Sequence, residues 1–311
     1  MRVVVAGLGV QGRKRIAAAG ADVVGTVDPR VAEARYRRIE DVPLADYDAA
    51  LVCTPDNAKF PLLEYLLSNG RHVLVEKPLL AASARELERL AGIARKAGAA
   101  CYTAYNHRFE PHVARMKRLL EARAIGTPYC ARLFYGNGTA RLVRDSVWRD
   151  QGSGVLSDLG SHLLDIALHW FGKPSGAFRI HSAKRYENRA FDHVVFGASG
   201  SPDLLMEVSL LSWRNDFRAD VLAEGGSAHI SSLCKWGPSI FLRRTRKLPS
   251  GVPDEESVTA SPPDPTWAAE YAHFMELCGR GESNIENDIW INDVLTGLAR
   301  DAQALGYGGK P

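Results

Sequence analysis

Residues 154–170, GVLSDLGSHLLDIALHW, hold four side chains that could move protons or bind cations. Asp158, His162, Asp165 and His169 recur at steps of four, three and four. On a helix that spacing lines them along one side. Leu156, Leu159, Leu163, Ile166 and Trp170 repeat with the same period and form an apolar stripe. The stripe requires a core, whereas the polar line could face solvent, a metal or a substrate. Imidazole, with an ordinary pKa near 6.5, is the side chain best suited to carry a proton at neutral pH. A carboxylate four residues earlier can orient it. Asp158, His162 and Asp165 could also hold a zinc- or manganese-like ion. No further ligand cluster accompanies them, so metal is a minor alternative, and the sequence is read as having no metal site.

A second chemical stretch opens the chain. VVVAGLGVQGRKR places Gly7, Gly9 and Gly12 in G-x-G-x-x-G spacing, with Leu8, Val10 and Gln11 between them. The motif follows a β-branched run and opens a helical one. The first glycine serves the tight turn, the second lets a pyrophosphate approach the backbone, and the third lets helix and strand pack closely. Free N–H groups at the helix start then face the phosphates. Asp28 ends the next strand-like run, TVDP, about 20 residues on. A carboxylate there can bind both ribose hydroxyls and repels a 2′-phosphate, which indicates NAD, while nearby Arg30 leaves NADP open. A third stretch, HVLVEKP, puts Glu76, Lys77 and Pro78 at the end of a strand-like run. Ligands of open α/β sheets bind beyond those strand ends.

Alternating elements position these groups. RVVVAG, ADVVGTVD, DAALVCTP, RHVLVEKP and AACYTAYN are expected strands. VQGRKRIAAAG, KFPLLEYLLSNG and SARELERLAGIARKAG are expected helices, and so is PRVAEARYRRIE, opened by Pro29. The rhythm implies a parallel sheet covered on both faces. After about residue 122 it changes. PYCARLFYGNG precedes the helix at 154–170, and six strand-like runs fill 176–245 with no strong helix between them. A mostly antiparallel sheet is expected there. Residues 249–265 hold five of the 16 prolines and four acids and are expected to form a loop. Two helices are expected to end the chain. The fold class is thus α/β: a dinucleotide-binding Rossmann domain over 1–122, then an α+β domain with a large open sheet over 123–311.

Composition excludes several classes. Of 311 residues, 39 are basic and 36 acidic, so the net charge of +3 gives no case for nucleic acid as a partner. The basic run RRTRK at 243–247 is expected to be a solvated face. No run approaches the roughly 18 apolar residues of a membrane span, and no signal peptide is evident. The five cysteines form no close pair and are expected to be reduced. A cytosolic protein is expected.

AGLGVQG, CTPDNAKF, GRHVLVEKP, YNHRFEP and DLGSHLLD, in that order, resemble the glucose–fructose oxidoreductase / inositol dehydrogenase family (Gfo/Idh/MocA). The motifs run from residue 1 to about 172, and the strand-rich remainder fits the family's second domain. The resemblance implies an NAD(P)-dependent dehydrogenase acting on CH–OH groups of a sugar, a sugar derivative or a cyclitol. It implies that Lys77 lies beside the nicotinamide, often before a cis proline, and that Asp158 and His162 face Lys77. Thr54, Pro55, Asn57, Glu76 and Asn106 join the glycine loop as cofactor residues. Tyr105, Arg108, Arg141, Arg144, Trp148 and Arg149 are expected to shape the substrate pocket. The indole suits a sugar ring, and the arginines suit an acidic or nucleotide-linked substrate. His162 is expected to be the principal acid/base, with Lys77 polarising the reacting oxygen, or the two roles exchanged.

One departure stands out. Lys59 occupies the place where the family often has histidine in T-P-x-x-x-H, which puts a minor cofactor contact in doubt. The family also implies a homodimer or homotetramer built through the open sheet. Two other functions would use the same parts: an NAD-dependent glycoside hydrolase that oxidises its sugar transiently, and a non-catalytic NAD-binding regulator.

Overall fold

The computed structural model describes residues 1–146, 149–261 and 263–305. Two compact units emerge. One comprises Met1–Asn106 with Thr266–Asn292, the other His107–Pro265 with Asp293–Pro311.

In the first unit, β1 (Val3–Ala6), α1 (Val10–Ala19), β2 (Val23–Val27), β3 (Ala49–Val52), α2 (Asp56–Ser68), β4 (His72–Glu76), α3 (Ala84–Ala97) and β5 (Cys101–Ala104) follow one another. The strands run in parallel in the order β2-β1-β3-β4-β5. β1, β3 and β5 are buried throughout. Short β-branched and apolar runs form such strands because both sheet faces are covered. The strand order reverses between β1 and β3, so the loops after these two strands open the crevice where α/β sheets take their ligands.

The helix expected over 29–40 does not form. Asp28 captures the backbone N–H groups of Arg30 and Val31 on Oδ1, at 2.9 and 3.1 Å, which a first helical turn would otherwise leave free. Tyr36 then forms a parallel bridge to Val27. The segment carries four basic residues and too few apolar ones to make a buried stripe. The Asp28 bonds would equally cap a helix; the path is set by Tyr36, whose N–H donates to the Thr26 carbonyl at 3.0 Å and whose carbonyl accepts the Asp28 N–H at 3.1 Å, drawing the chain alongside β2.

The second unit contains α4 (Pro111–Glu121), β6 (Pro128–Gly136), the short α5 (Ala140–Arg144), α6 (Ser161–Phe171) and the strands β7 (Phe178–Lys184), β8 (His193–Ala198), β9 (Asp203–Ser209), β10 (Asp216–Ala223), β11 (Gly226–Ser231), β12 (Ser239–Lys247) and β13 (Gly251–Ala260). They form one eight-stranded sheet in the order β13-β12-β11-β10-β6-β9-β8-β7, antiparallel except for the β6–β9 pair. α7 (Thr266–Arg280) and α8 (Ile285–Ala304) end the described chain. The expected domain boundary after 122 falls inside this second unit. α4 belongs there because it packs on α6, where Trp170 Nε1 donates to the Val113 carbonyl at 3.0 Å.

β13 is the second correction, since this stretch was expected to be a loop. It lacks apolar alternation, but its acids lie across from the basic run of β12. Arg244 pairs with Glu255 and Lys247 with Asp254, each at 2.6 Å. Cross-strand charge pairs thus supply what burial does not. All five cysteines are free. Among the described residues no helix is long and apolar enough to cross a membrane.

Candidate active site

In the first unit, the turn from β1 to α1 is shaped by its glycines. Gly7 has φ +94°, and a Cβ there would lie 2.6 Å from the Cys53 carbonyl oxygen. A Cβ on Gly12 would lie 1.9 Å from the Gly7 oxygen, whereas one on Gly9 would meet nothing within 4 Å. Close packing therefore demands the first and third glycines, and the second leaves open space. No side chain caps α1, and Val10 at its start is 73% exposed. Its first N–H groups are available to an anion, as a pyrophosphate requires. At the end of β3, the buried Thr54 hydroxyl has no hydrogen-bond partner among the described residues. These features fit a bound dinucleotide. Gly12→Ala is expected to abolish NAD⁺ binding measured by calorimetric titration; unchanged affinity would show that the cradle is not the cofactor site.

Asp28 ends β2 as expected, but it is also a structural staple. Oδ2 accepts the Leu8 N–H at 2.9 Å, and Oδ1 accepts those of Arg30 and Val31. Burial works against its charge, but these three donors outweigh it and hold the carboxyl below its usual range. Three of about four acceptor positions are then engaged, leaving one on Oδ2 for a ribose hydroxyl. The contribution of ionised Asp28 is present above its unfolded pKa of about 3.9 and fades as pH falls through the lower folded value. The gap in urea midpoint between wild type and Asp28→Asn is expected to narrow below about pH 4 for that reason.

Lys77 stands at the end of β4, and its bond to Pro78 is cis. Two buried cations hold this turn. Arg15, 1% exposed, donates from Nε to Glu76 Oε1 at 2.7 Å and from Nη1 to Glu270 Oε2 at 2.6 Å. Its guanidinium also lies 4.4 Å from the centre of the Trp267 ring. Burial opposes the Arg15 charge, but Glu270 and then Glu76 more than offset it. Glu76, expected as a cofactor contact, is thereby a member of a buried ion triad.

Lys59 is the other cation. It is 2% exposed, donates from Nζ to the Pro78 carbonyl at 2.8 Å and pairs with Asp56 at 2.7 Å. Burial pulls its pKa below that of an ordinary lysine, although Asp56 opposes the shift. The residue that departs from the family pattern thus braces the turn that carries Lys77. Of the other expected cofactor residues, Pro55 caps α2, Asn57 is exposed in its first turn, and Asn106 donates to Thr266 Oγ1 at 3.2 Å. Tyr105, expected at the pocket, is 1% exposed with its hydroxyl 3.3 Å from Asp288 Oδ1.

In the second unit, the 154–170 segment is not one regular helix. Leu156–Gly160 forms a π-helical turn, and α6 follows from Ser161. Leu156, Leu159, Leu163, Ile166 and Trp170 are all buried, as their period requires. The polar line is largely covered too: His162 is 5% exposed and Asp165 0%. Arg108 forks onto Asp165, with Nε and Nη2 at 2.7 and 2.5 Å. Asp165 is therefore the partner of Arg108, and Arg108, expected to meet substrate, spends its planar donors on Asp165.

Asp158 lies 3.8 Å from Arg149. Arg141 and Arg144 are exposed and lie 3.7 Å from Glu187 and 3.9 Å from Asp145. Trp148 lies outside the described residues.

The neighbours of His162 include residues that sequence reasoning missed. His107 stacks on it, with centroids 4.0 Å apart and planes 18° off parallel. Tyr135 from β6 meets it edge-on at 5.7 Å. Lys235 Nζ donates to His107 Nε2 at 2.7 Å. Glu110, 1% exposed, accepts the Cys234 N–H at 3.1 Å. Burial raises the Glu110 pKa, against the pull of that hydrogen bond and of Lys235. His107 lies within the motif YNHRFEP and could have been noticed, but no local signal marks Lys235.

Comparison with known proteins agrees with this picture. Residues 1–105 match the model of an oxidoreductase family with an NAD-binding Rossmann fold, and residues 113–229 match the GFO/IDH/MocA C-terminal domain. Scyllo-inositol 2-dehydrogenase (NAD(+)) of Bacillus subtilis (strain 168) is 26% identical over 267 residues, covering 82% of this chain and 73% of that protein. Inositol 2-dehydrogenase 1 of Saccharopolyspora erythraea is 33% identical over 141 residues, 45% of this chain and 39% of that one. A structure of levoglucosan dehydrogenase in complex with NADH superposes with a TM-score of 0.85 at 17% identity, covering 98% of this chain and 97% of that one. The chain belongs to the GFO/IDH/MocA oxidoreductase family, with the family's NAD-binding Rossmann domain followed by its C-terminal domain.

Proposed function

We propose that this protein is an NAD-linked dehydrogenase of a neutral ring polyol, a cyclitol or sugar whose secondary alcohol it interconverts with the ketone. The observation that carries this reading is His162. A titratable imidazole is kept 5% exposed on a largely buried helix, in a chain that also carries a dinucleotide cradle and a braced Lys77. Buried polar groups are costly unless used or satisfied. The similar proteins named for inositols and levoglucosan support a ring polyol.

When bound, the nicotinamide supplies or takes up the hydride. His162 accepts the hydroxyl proton during oxidation and returns it during reduction. The Lys77 ammonium donates a hydrogen bond to the reacting oxygen and stabilises negative charge that develops there. Asp158, four residues before His162, orients the imidazole or holds a neighbouring hydroxyl. Arg108, Arg141, Arg144 and Arg149 each face a carboxylate of the protein, which favours a neutral substrate over an acidic or nucleotide-linked one.

A panel of scyllo-inositol, myo-inositol, levoglucosan, glucose, glucuronate and UDP-N-acetylglucosamine tests the reading with NAD⁺ and NADH absorbance. NADH is expected with a neutral member. Turnover confined to the anionic members would overturn the substrate class. Bond cleavage in a glycoside without net NADH would replace the dehydrogenase with a hydrolase.

A further inference from the structure

The cluster behind His162 has an order imposed by hydrogen-bonding capacity. An ammonium has three donors and no acceptor. The 2.7 Å contact from Lys235 Nζ therefore requires His107 Nε2 to be the acceptor, and His107 to be a neutral ring with its hydrogen on Nδ1. That neutral ring lies flat against His162 at 4.0 Å. Tyr135 contacts both imidazoles, at 5.1 Å from His107 and 5.7 Å from His162. Lys235 itself is half-buried against the Trp236 ring, 5.1 Å from its centre. A proton arriving on His162 thus meets a positive charge held at the edge of the ring stacked against it.

Other ionisable groups surround His162. Asp158, facing Arg149, lies four residues before it, and Asp165, locked to Arg108, lies three residues after it. Glu110 sits behind, in Coulombic reach of Lys235. Asp158 and Glu110 favour a charged imidazole, whereas Lys235 opposes it from the stacked side. Asp165 is offset by its arginine.

We propose that Lys235, acting through His107, is a positioning partner of His162: it fixes His107 as a neutral platform, the platform sets the plane of the His162 ring, and the ammonium keeps that ring unprotonated and ready to accept a proton. The proposal rests on the reading of His162 as the proton carrier. It assigns a role to two side chains 128 residues apart in sequence. Neither touches the reacting atoms in this scheme, so neither is a catalytic residue.

The test is a histidine titration by NMR on the full chain labelled with [¹³Cε1]histidine, with the His162 resonance assigned by its loss in His162→Gln. Lys235→Met is expected to raise the His162 midpoint by about one pH unit, the order of effect of a nearby unit charge at an intermediate effective dielectric. Lys235→Gln, which keeps a donor without the charge, is expected to show the same rise and serves if the Met variant fails to fold. Lys235→Arg is expected to restore the wild-type midpoint. Equal midpoints in wild type and both neutral variants would overturn the proposal. The titration needs no substrate, so its outcome is separable from the function. Normal turnover by His162→Gln would remove the acid/base role and leave the measured coupling standing.

Discussion

Replacing His162 with alanine is expected to lower turnover by about 10²–10⁴-fold while NAD⁺ affinity stays unchanged, because one positioned acid/base group contributes about that much. The proton of a secondary alcohol must leave as the hydride leaves, and His162 is the buried imidazole of the 154–170 segment, 5% exposed. Asp165 is engaged by Arg108 and Asp158 faces Arg149. The loss should fall on kcat and on kcat/KM alike, the signature of an interaction made in the transition state. Lys77→Ala is expected to lose a similar factor. Near-normal turnover in either variant, with the cofactor still bound, removes that residue from the chemistry. Steady-state kinetics on the substrate found by the panel, together with calorimetric NAD⁺ titration, make the comparison.

Arg15→Met is expected to destabilise the first unit by about 3–5 kcal/mol, because it removes the cation paired with the fully buried Glu270 and with Glu76. Glu270 is 0% exposed, so water cannot replace the lost donor. The stack on Trp267 is lost as well. Chemical denaturation of the full chain reads the loss. Arg15→Met combined with Glu270→Leu is expected to recover much of the stability, since removing both members of a buried pair can be nearly neutral. If the single variant unfolds at the wild-type midpoint, the triad is not what holds α1 to β4. Freed from Arg15, Glu76 should also loosen the turn carrying Lys77, which would appear as lower turnover at temperatures where the variant remains folded.

Each of the five parallel strands was legible as a short apolar run closed by a turn signal, because a strand buried on both faces leaves that trace. The glycine loop and the Asp158–His162 line are legible by local spacing, whereas Lys77 is singled out by the resemblance that the surrounding motifs carry. The residues behind them are not. Arg15 lies in a run of basic residues that reads as solvent-facing, yet it is 1% exposed, and its partners are 61 and 255 residues away. Lys235 reaches His107 only through the fold. The failures at 29–40 and 249–265 have one cause. In both, pairing with a strand decides the backbone path, through the Tyr36 bonds alongside β2 and the β12–β13 charge pairs, and hydrophobic periodicity is silent about them.

The acidic strand β13 has a consequence beyond its pairing with β12. It is the last strand of an eight-stranded sheet and would otherwise offer an unpaired row of backbone donors and acceptors to any extended chain. Asp254, Glu255 and Glu256 stand exposed there in sequence. Each already faces a cation of β12: Asp254 faces Lys247, Glu255 faces Arg244 and Glu256 faces Arg243. An added strand would have to desolvate that row of charge pairs, a cost that charged edge strands impose on edge-to-edge pairing.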